Sequence, residues 1–222
     1  MRNENKFQIA GQEIAPGERW QGTLTIGGGE FALPAAVLHG EEEGKTVLIT
    51  AAVHAGEYVG VQTAVELSRE LNIEKVTGTI VIVKVVCTDE FEQRTGSVCP
   101  EDDRNLNREF PGDSKGTKMQ RLAYAIEKEL HSVADYYIDL HSGDDYEDLT
   151  PYVYYAGEGE KDVVQISRKM AQHVDVPYMV RSNVSSGGSY NYAASCGIPS
   201  ILIERGGMGQ WTREEVESNK RD

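Results

Sequence analysis

Four short stretches carry residue types that could do chemistry together. His54 and Glu57, with two residues between them, sit in Val53-His54-Ala55-Gly56-Glu57 directly after an apolar run. At that spacing an imidazole and a carboxylate can meet on one cation, although His-x-x-Glu by itself is a common chance match. His141 ends a second apolar run, Tyr137-Ile138-Asp139-Leu140-His141, followed by Ser142-Gly143. A catalytic zinc site takes three protein ligands and an open position, and two His with one Glu is an established set. A histidine satisfied structurally at a strand end is the plainer reading of either His taken alone. Two of them with Glu57 reverse that preference. Asp139 is spaced to receive the ring N–H of His141, or else simply faces a helix.

Glu204 closes a third apolar run, Ser200-Ile201-Leu202-Ile203-Glu204, just before Arg205-Gly206-Gly207. A carboxylate leaving such a strand is poorly solvated, so its pKa rises toward the value useful to a general base. Beside a metal-activated water it would take the proton as the water attacks a carbonyl. The competing reading is an ion pair with Arg205 at the sheet edge. The segments 91–94 and 102–112 bring Arg94, Arg104 and Arg108 with Asn105 and Asn107 to where a substrate would lie. Arginine bonds carboxylates bidentately and asparagine adds a further donor. Arg104 is better read as pairing within its own loop, with Asp102, Asp103 or Glu109.

These residues need a scaffold, and the pattern between them describes one. Residues 20–26 and 31–38 alternate as strands around the turn Gly27-Gly28-Gly29, and 46–53 and 79–86 are apolar runs of the kind a strand buried on both faces requires. Helical spacing marks 58–71, 117–131 and 163–173, and short apolar strands return at 136–140 and 200–203. Strand and helix alternate, which predicts an α/β sheet with helices on both faces and ligands beyond the carboxyl ends of the strands. Residues 87–116 read as one long loop, and a loop of that length in a compact domain is usually functional. Thr212-Arg213-Glu214-Glu215 has the form of a helix start near the end of the chain, so 208–222 is either a polar tail or a helix cut short.

The combination of His54-Ala55-Gly56-Glu57-Tyr58 with Gly60, Asn105-Leu106-Asn107-Arg108-Glu109-Phe110-Pro111-Gly112, Leu140-His141-Ser142-Gly143 and Ile198-Pro199-Ser200-Ile201-Leu202-Ile203-Glu204 resembles the zinc carboxypeptidase clan. More closely, it resembles that clan's aspartoacylase and succinylglutamate desuccinylase branch. The likeness runs from about residue 20 to the end, and four motifs in order are far more specific than one. It implies a mixed, mostly parallel eight-stranded sheet flanked by helices and one Zn2+ held by His54, Glu57 and His141, with Glu204 as general base and acid. It further implies that Arg94 and Arg108, with Asn107 beside them, polarise the scissile carbonyl or grip a carboxylate.

The family's chains continue into a second, β-rich domain, whereas this sequence ends 18 residues after Glu204. The expectation is one catalytic domain over 1–222, with 1–45 as its β-rich start, either cut short before its next domain or a single-domain form with a more open cleft. Tyr190 and Tyr192 then either line that cleft or belong to the core, the core being preferred. The activity implied is hydrolysis of an amide in a small, carboxylate-bearing N-acyl amino acid. A carboxypeptidase acting on peptide or cell-wall fragments and a non-catalytic zinc protein are the alternatives.

Composition narrows the partners. Thirty-six acidic residues against 22 basic ones give a net charge of −14 on 222 residues, which disfavours nucleic acid and anionic membranes, both polyanions. At 39% hydrophobic the chain is globular in composition. Cys87, Cys99 and Cys196 are too few for a disulfide framework and read as reduced, unreactive thiols, and Met1–Lys6 opens no signal peptide. The expectation is a cytoplasmic enzyme, with self-association left open. His39, His131 and His173 are expected at the surface.

Overall fold

The structure is a computed structural model that describes residues 5–222, so the first four residues of the polar N-terminal run lie outside it. A hairpin comes first, β1 (Phe7–Ile9) and β2 (Gln12–Ile14), closed by Ala10 and Gly11, both at positive φ. The main sheet follows with β3 (Glu18–Ile26), β4 (Phe31–His39), β5 (Glu42–Ala51), β6 (Thr77–Val83), β7 (Tyr136–His141), β8 (Tyr152–Ala156), β9 (Tyr178–Ser182) and β10 (Ser200–Glu204). The helices are α1 (Tyr58–Glu70), α2 (Thr88–Gln93), α3 (Lys118–Glu129), α4 (Lys161–Ala171), α5 (Ser189–Ser195) and α6 (Arg213–Arg221). No helix among the described residues is long and apolar enough to cross a membrane.

The eight strands lie in the order β3-β4-β6-β5-β7-β10-β8-β9. From β6 through β5 and β7 to β10 they run parallel, with antiparallel partners outside, so the sheet is the mixed α/β sheet expected. Register then does the positioning. Thr50 faces Asp139 across β5 and β7, and Glu204 faces His141 across β10 and β7, so three strand ends meet at one edge. Beyond β5 the chain turns through Ala52, buried and at φ 53°, an uncommon backbone state for a residue with a side chain. The Ala52 carbonyl accepts the Cys87 N–H at 2.9 Å, which helps hold the turn that presents His54.

Each strand shows one face to each of two apolar layers, since successive side chains alternate. Leu48, Tyr137 and Leu202 pack with Met119, Leu122, Ala193 and Ala194 of α3 and α5. Ile49, Leu140, Ile201 and Ile203 pack on the other face with Ala64 of α1 and Ala171 of α4. Several elements went unread. Strand β9 is a largely exposed edge strand, β8 has five residues, and α5 is rich in Ser, Asn and Ala, so none carries a strong hydrophobic period. Region 87–116 is no plain loop, because α2 and a 3-10 turn at Leu106–Arg108 interrupt it. The helix start at Thr212 is used: its Oγ1 accepts the Glu215 N–H, and α6 lies on α1 with Val216 buried and Lys220 and Arg213 bonded to Glu66.

Two of the three histidines expected at the surface are buried. His39 bonds Thr79 Oγ1 through Nδ1, His131 stacks on Phe110, and His173 alone is exposed. Their positions at the ends of elements gave no periodic signal, and burial came from what packs over those ends.

Gly60 lies in the first turn of α1 where the helix crosses β7, and a Cβ there would stand 2.8 Å from the Leu140 carbonyl oxygen. Backbone cannot yield as a flexible side chain would. Gly60→Ala is expected to destabilise the fold by about 1–3 kcal/mol, as overpacking of a tight contact does, read by urea denaturation.

Candidate metal centre

The three residues proposed as ligands converge. Glu57, 3% exposed at the N-cap of α1, holds its Oε1 2.7 Å from His54 Nδ1 and its Oε2 2.7 Å from His141 Nδ1. The Ser142 N–H also donates to Glu57 Oε2, at 3.2 Å. The two rings meet edge to face with centroids 5.0 Å apart, and the ligand atoms of all three residues lie within 4.8 Å of one another.

The far sides of both rings are also occupied. His54 Nε2 stands 3.0 Å from Asn105 Oδ1, an oxygen that already accepts the Asn107 N–H at 2.8 Å. A carbonyl oxygen cannot donate, so Nε2 carries the proton and, in the neutral ring, Nδ1 turns an electron pair inward. On the other ring Asp139 Oδ2 lies 3.1 Å from His141 Nε2, an ion-pair distance without hydrogen-bond alignment. Two imidazole nitrogens and a carboxylate thus face one point.

Electrostatics agree with a cation there. Burial would raise the Glu57 pKa, but the His141 charge and hydrogen bonds from His141 and His54 prevail and bring it down to about 2. For His141 burial works downward, and Glu57 and Asp139 overcome it to hold the ring well above its usual range. The potential that would keep a proton on His141 is the one that would attract a metal ion, and the donor set fits a divalent cation of the zinc type.

A cavity of about 760 Å³ opens over this cluster, with Asn105, Asn107, Arg108, Tyr152, Tyr190 and Glu204 in its wall. Glu204 Oε2 is shut from solvent with no hydrogen-bond partner among the described residues, and burial pushes its carboxyl up to about 8, against the His141 charge and with help from Glu57, Glu147 and Asp139. The pairing with Arg205 is not made. Arg205, the residue just after β10, bonds Asp222 Oδ2 through Nε and Nη2 at 2.9 and 2.7 Å.

The arginines separate. Arg108 lines the cavity with Nη1 on the Asn107 carbonyl at 2.7 Å. Arg104 pairs with Glu109 at 3.0 Å inside the loop, in line with the plainer reading. Arg94 is an exposed, left-handed C-cap of α2 that does not line the cavity, so the three arginines do not share one pocket. Asn107, 6% exposed, spends its Oδ1 on the Ser189 N–H at 2.8 Å, which leaves its NH2 for the cavity it lines. Tyr190 is both core and cavity wall, whereas Tyr192 packs partly buried against the core.

Asn105, expected beside a substrate, instead holds the ring of His54. The signal that could have marked it is the pair Asn105-x-Asn107, which forms a side-chain turn and so aims Oδ1 at a fixed point. Cys87 and Cys99 are buried with thiols pushed up, Cys99 to about 11, and neither has the makings of a nucleophile.

Residues 43–221 match the family described as the Succinylglutamate desuccinylase/Aspartoacylase catalytic domain. Over 126 residues the chain is 35% identical to an N-alpha-acetyl-L-2,4-diaminobutyric acid deacetylase of Halomonas elongata, a match covering 56% of this chain and 36% of that protein. The product-bound structure of the ectoine utilization protein EutE (DoeB) from Ruegeria pomeroyi superposes with a TM-score of 0.80 at 28% identity, over 91% of this chain and 64% of that one. At 18% identity a metallo-carboxypeptidase from Burkholderia cenocepacia shares the fold, with a TM-score of 0.69 over 92% of this chain and 62% of that one. The chain thus spans less than two thirds of each of these proteins.

Replacing Asn105 leaves the His54 ring free to turn or to change tautomer. Asn105→Ala is expected to weaken affinity for a divalent cation roughly 10–100-fold, the usual cost of losing a group that orients a ligand. Competition with a chelating dye measures it.

Proposed function

The chain belongs to the succinylglutamate desuccinylase/aspartoacylase family, and from that membership we propose that it is a zinc-dependent amidohydrolase acting on a small N-acyl amino acid. One observation carries the reading. Three converging ligand groups and Glu204, whose buried Oε2 has no hydrogen-bond partner among the described residues, share the wall of a single cavity. The unit built on the eight-stranded sheet is, on this reading, the catalytic domain. Unpaired Cys87, Cys99 and Cys196 suit a reducing, cytoplasmic setting.

His54, Glu57 and His141 would hold the zinc. When bound, zinc supplies Lewis acidity that lowers the pKa of a water and polarises an amide carbonyl. As a carboxylate, the form that a bound cation favours, Glu204 would accept the proton of the attacking water and return it to the departing amine. The Arg108 guanidinium and the Asn107 NH2 are the cation and the donor available to a developing oxyanion or a substrate carboxylate. Arg94, exposed three residues before the wall residue Ser97, would reach a substrate only from the rim.

The name of the Halomonas relative supports an acetyl group and an amino acid with a second amine. Asp144 and Glu147, acids in the same wall, would suit such an amine. A panel of N-acetyl, N-succinyl and peptide substrates tests the choice. Release of the acyl group from acyl amino acids is expected, and cleavage of peptides alone would establish the carboxypeptidase alternative instead. Zinc bound at one per chain with no turnover of any amide would establish the non-catalytic one.

Glu204→Gln is expected to keep zinc and lose hydrolysis by at least about a hundredfold, the scale of general-base catalysis, whereas His141→Ala loses both. Full activity in Glu204→Gln defeats the assignment. The raised carboxyl also has a stability consequence. A pKa higher in the folded state than its ordinary 4.5 favours folding at low pH, and that contribution is lost as pH climbs through about 8. Metal-free Glu204→Gln should therefore gain on the metal-free parent in melting temperature between pH 5 and pH 9.

A further inference from the structure

Beneath the metal centre a row of buried polar side chains crosses from β7 to α5 and the end of α3. His131 Nε2 lies 3.2 Å from Ser189 Oγ, Ser189 Oγ 2.8 Å from the Tyr137 hydroxyl, and the Tyr137 hydroxyl 2.7 Å from Thr50 Oγ1. Thr50 Oγ1 then donates to Asp139 Oδ1 at 2.6 Å, and Asp139 Oδ2 is the atom 3.1 Å from His141 Nε2. All are 3% exposed or less.

Each hydroxyl owns one proton, and that sets every direction in the row. Asp139, as a carboxylate, only accepts, so Thr50 gives it its proton. Thr50 must then accept from Tyr137, Tyr137 from Ser189, and Ser189 from His131. His131 therefore carries its proton on Nε2 and is bare at Nδ1, an atom that has no partner among the described residues. Burial lowers the pKa of His131 to about 4, against the Asp139 charge, so the ring is neutral near pH 7 and has a single N–H to give. Burial likewise keeps Tyr137 protonated.

Ser189 has a second connection. Its backbone N–H donates to Asn107 Oδ1 at 2.8 Å, and Asn107 lines the substrate cavity. One row thus reaches the zinc side of the site through Asp139 and the substrate side through Asn107.

We propose that Thr50, Tyr137 and Ser189 are positioning residues, a one-way chain of hydrogen bonds that holds the Asp139 carboxylate against His141 Nε2 and keeps His141 Nδ1 turned to the metal. The proposal rests on the metal-hydrolase reading above. Hydrogen bonds aligned in one sense in a dry interior strengthen one another, and the terminal carboxylate gains most from that polarity. A carboxylate so oriented fixes the ring and tautomer of a histidine ligand.

The test uses the unmodified zinc-loaded protein and three variants. Imidazole 15N spectra near pH 7 should show His131 as the Nε2–H tautomer and His141 with its proton on Nε2. A proton on His131 Nδ1 would overturn the one-way assignment without recourse to any variant. Chelator competition should show zinc affinity falling roughly tenfold, at the low end of the range for groups that orient ligands, in Thr50→Val. The loss should be smaller in Tyr137→Phe and smallest in Ser189→Ala, which keeps its backbone N–H to Asn107. Parental affinity in both Thr50→Val and Tyr137→Phe would overturn the proposal, as would failure of the unmodified protein to bind zinc. If the affinities follow this order but the unmodified protein hydrolyses no acyl amino acid, the positioning role stands and the functional reading falls.

Discussion

A carboxylate that is 3% exposed and flanked by two imidazoles governs this molecule. Taking one charge out of water costs several kcal/mol unless partners compensate it, so Glu57 is tolerable only where His54, His141 and the Ser142 N–H already stand. Those partners come from the turn after β5 and from the end of β7, and Glu57 itself caps α1. The parallel register of β5 with β7 and the close approach of α1 to Leu140 at Gly60 are therefore conditions for the site as much as features of the fold.

Strand alternation then sorts the chemistry by face. Tyr137, Asp139 and His141 share one face of β7, and the opposite face gives Ile138 and Leu140 to the second apolar layer. Glu204, the last residue of β10, lines the cavity, and Arg205, just beyond the strand, bonds Asp222 instead. Glu204 owes its proton affinity to burial, and Arg205, bonded to Asp222, makes no ion pair that would offset it. Global and local charge agree in sign. The chain carries −14, and the cavity wall sets Glu57, Asp144, Glu147 and Glu204 against Arg108, while Arg104 is neutralised within its loop.

Much of this was legible beforehand. Apolar runs ending in His54, His141 and Glu204 marked the strand ends, because a residue following a buried strand has one place to emerge. Thr117 onward and Tyr58 onward showed their helical stripes because those helices bury one face. Elements without a one-sided burial pattern were not legible: the exposed strand β9, the Ser- and Asn-rich α5 and the short β8. Buried His39 and His131 escaped for the same reason, and Arg94 shared a loop with Arg108 in sequence but not a cavity in space.

By itself the sequence determined the residue types of the site and the strands that carry them, since both depend on local spacing and periodicity, and its four motifs in order carried the family resemblance. Tertiary structure alone decided which of those residues meet. Asn105 against His54, Asn107 against Ser189, and the row from His131 to Asp139 join residues 51, 82 and up to 89 positions apart. Such contacts depend on register and on which face each side chain takes. Neither is written in any single stretch of chain, because a hydrogen bond is set by a fraction of an ångström between segments that only the packed sheet brings together.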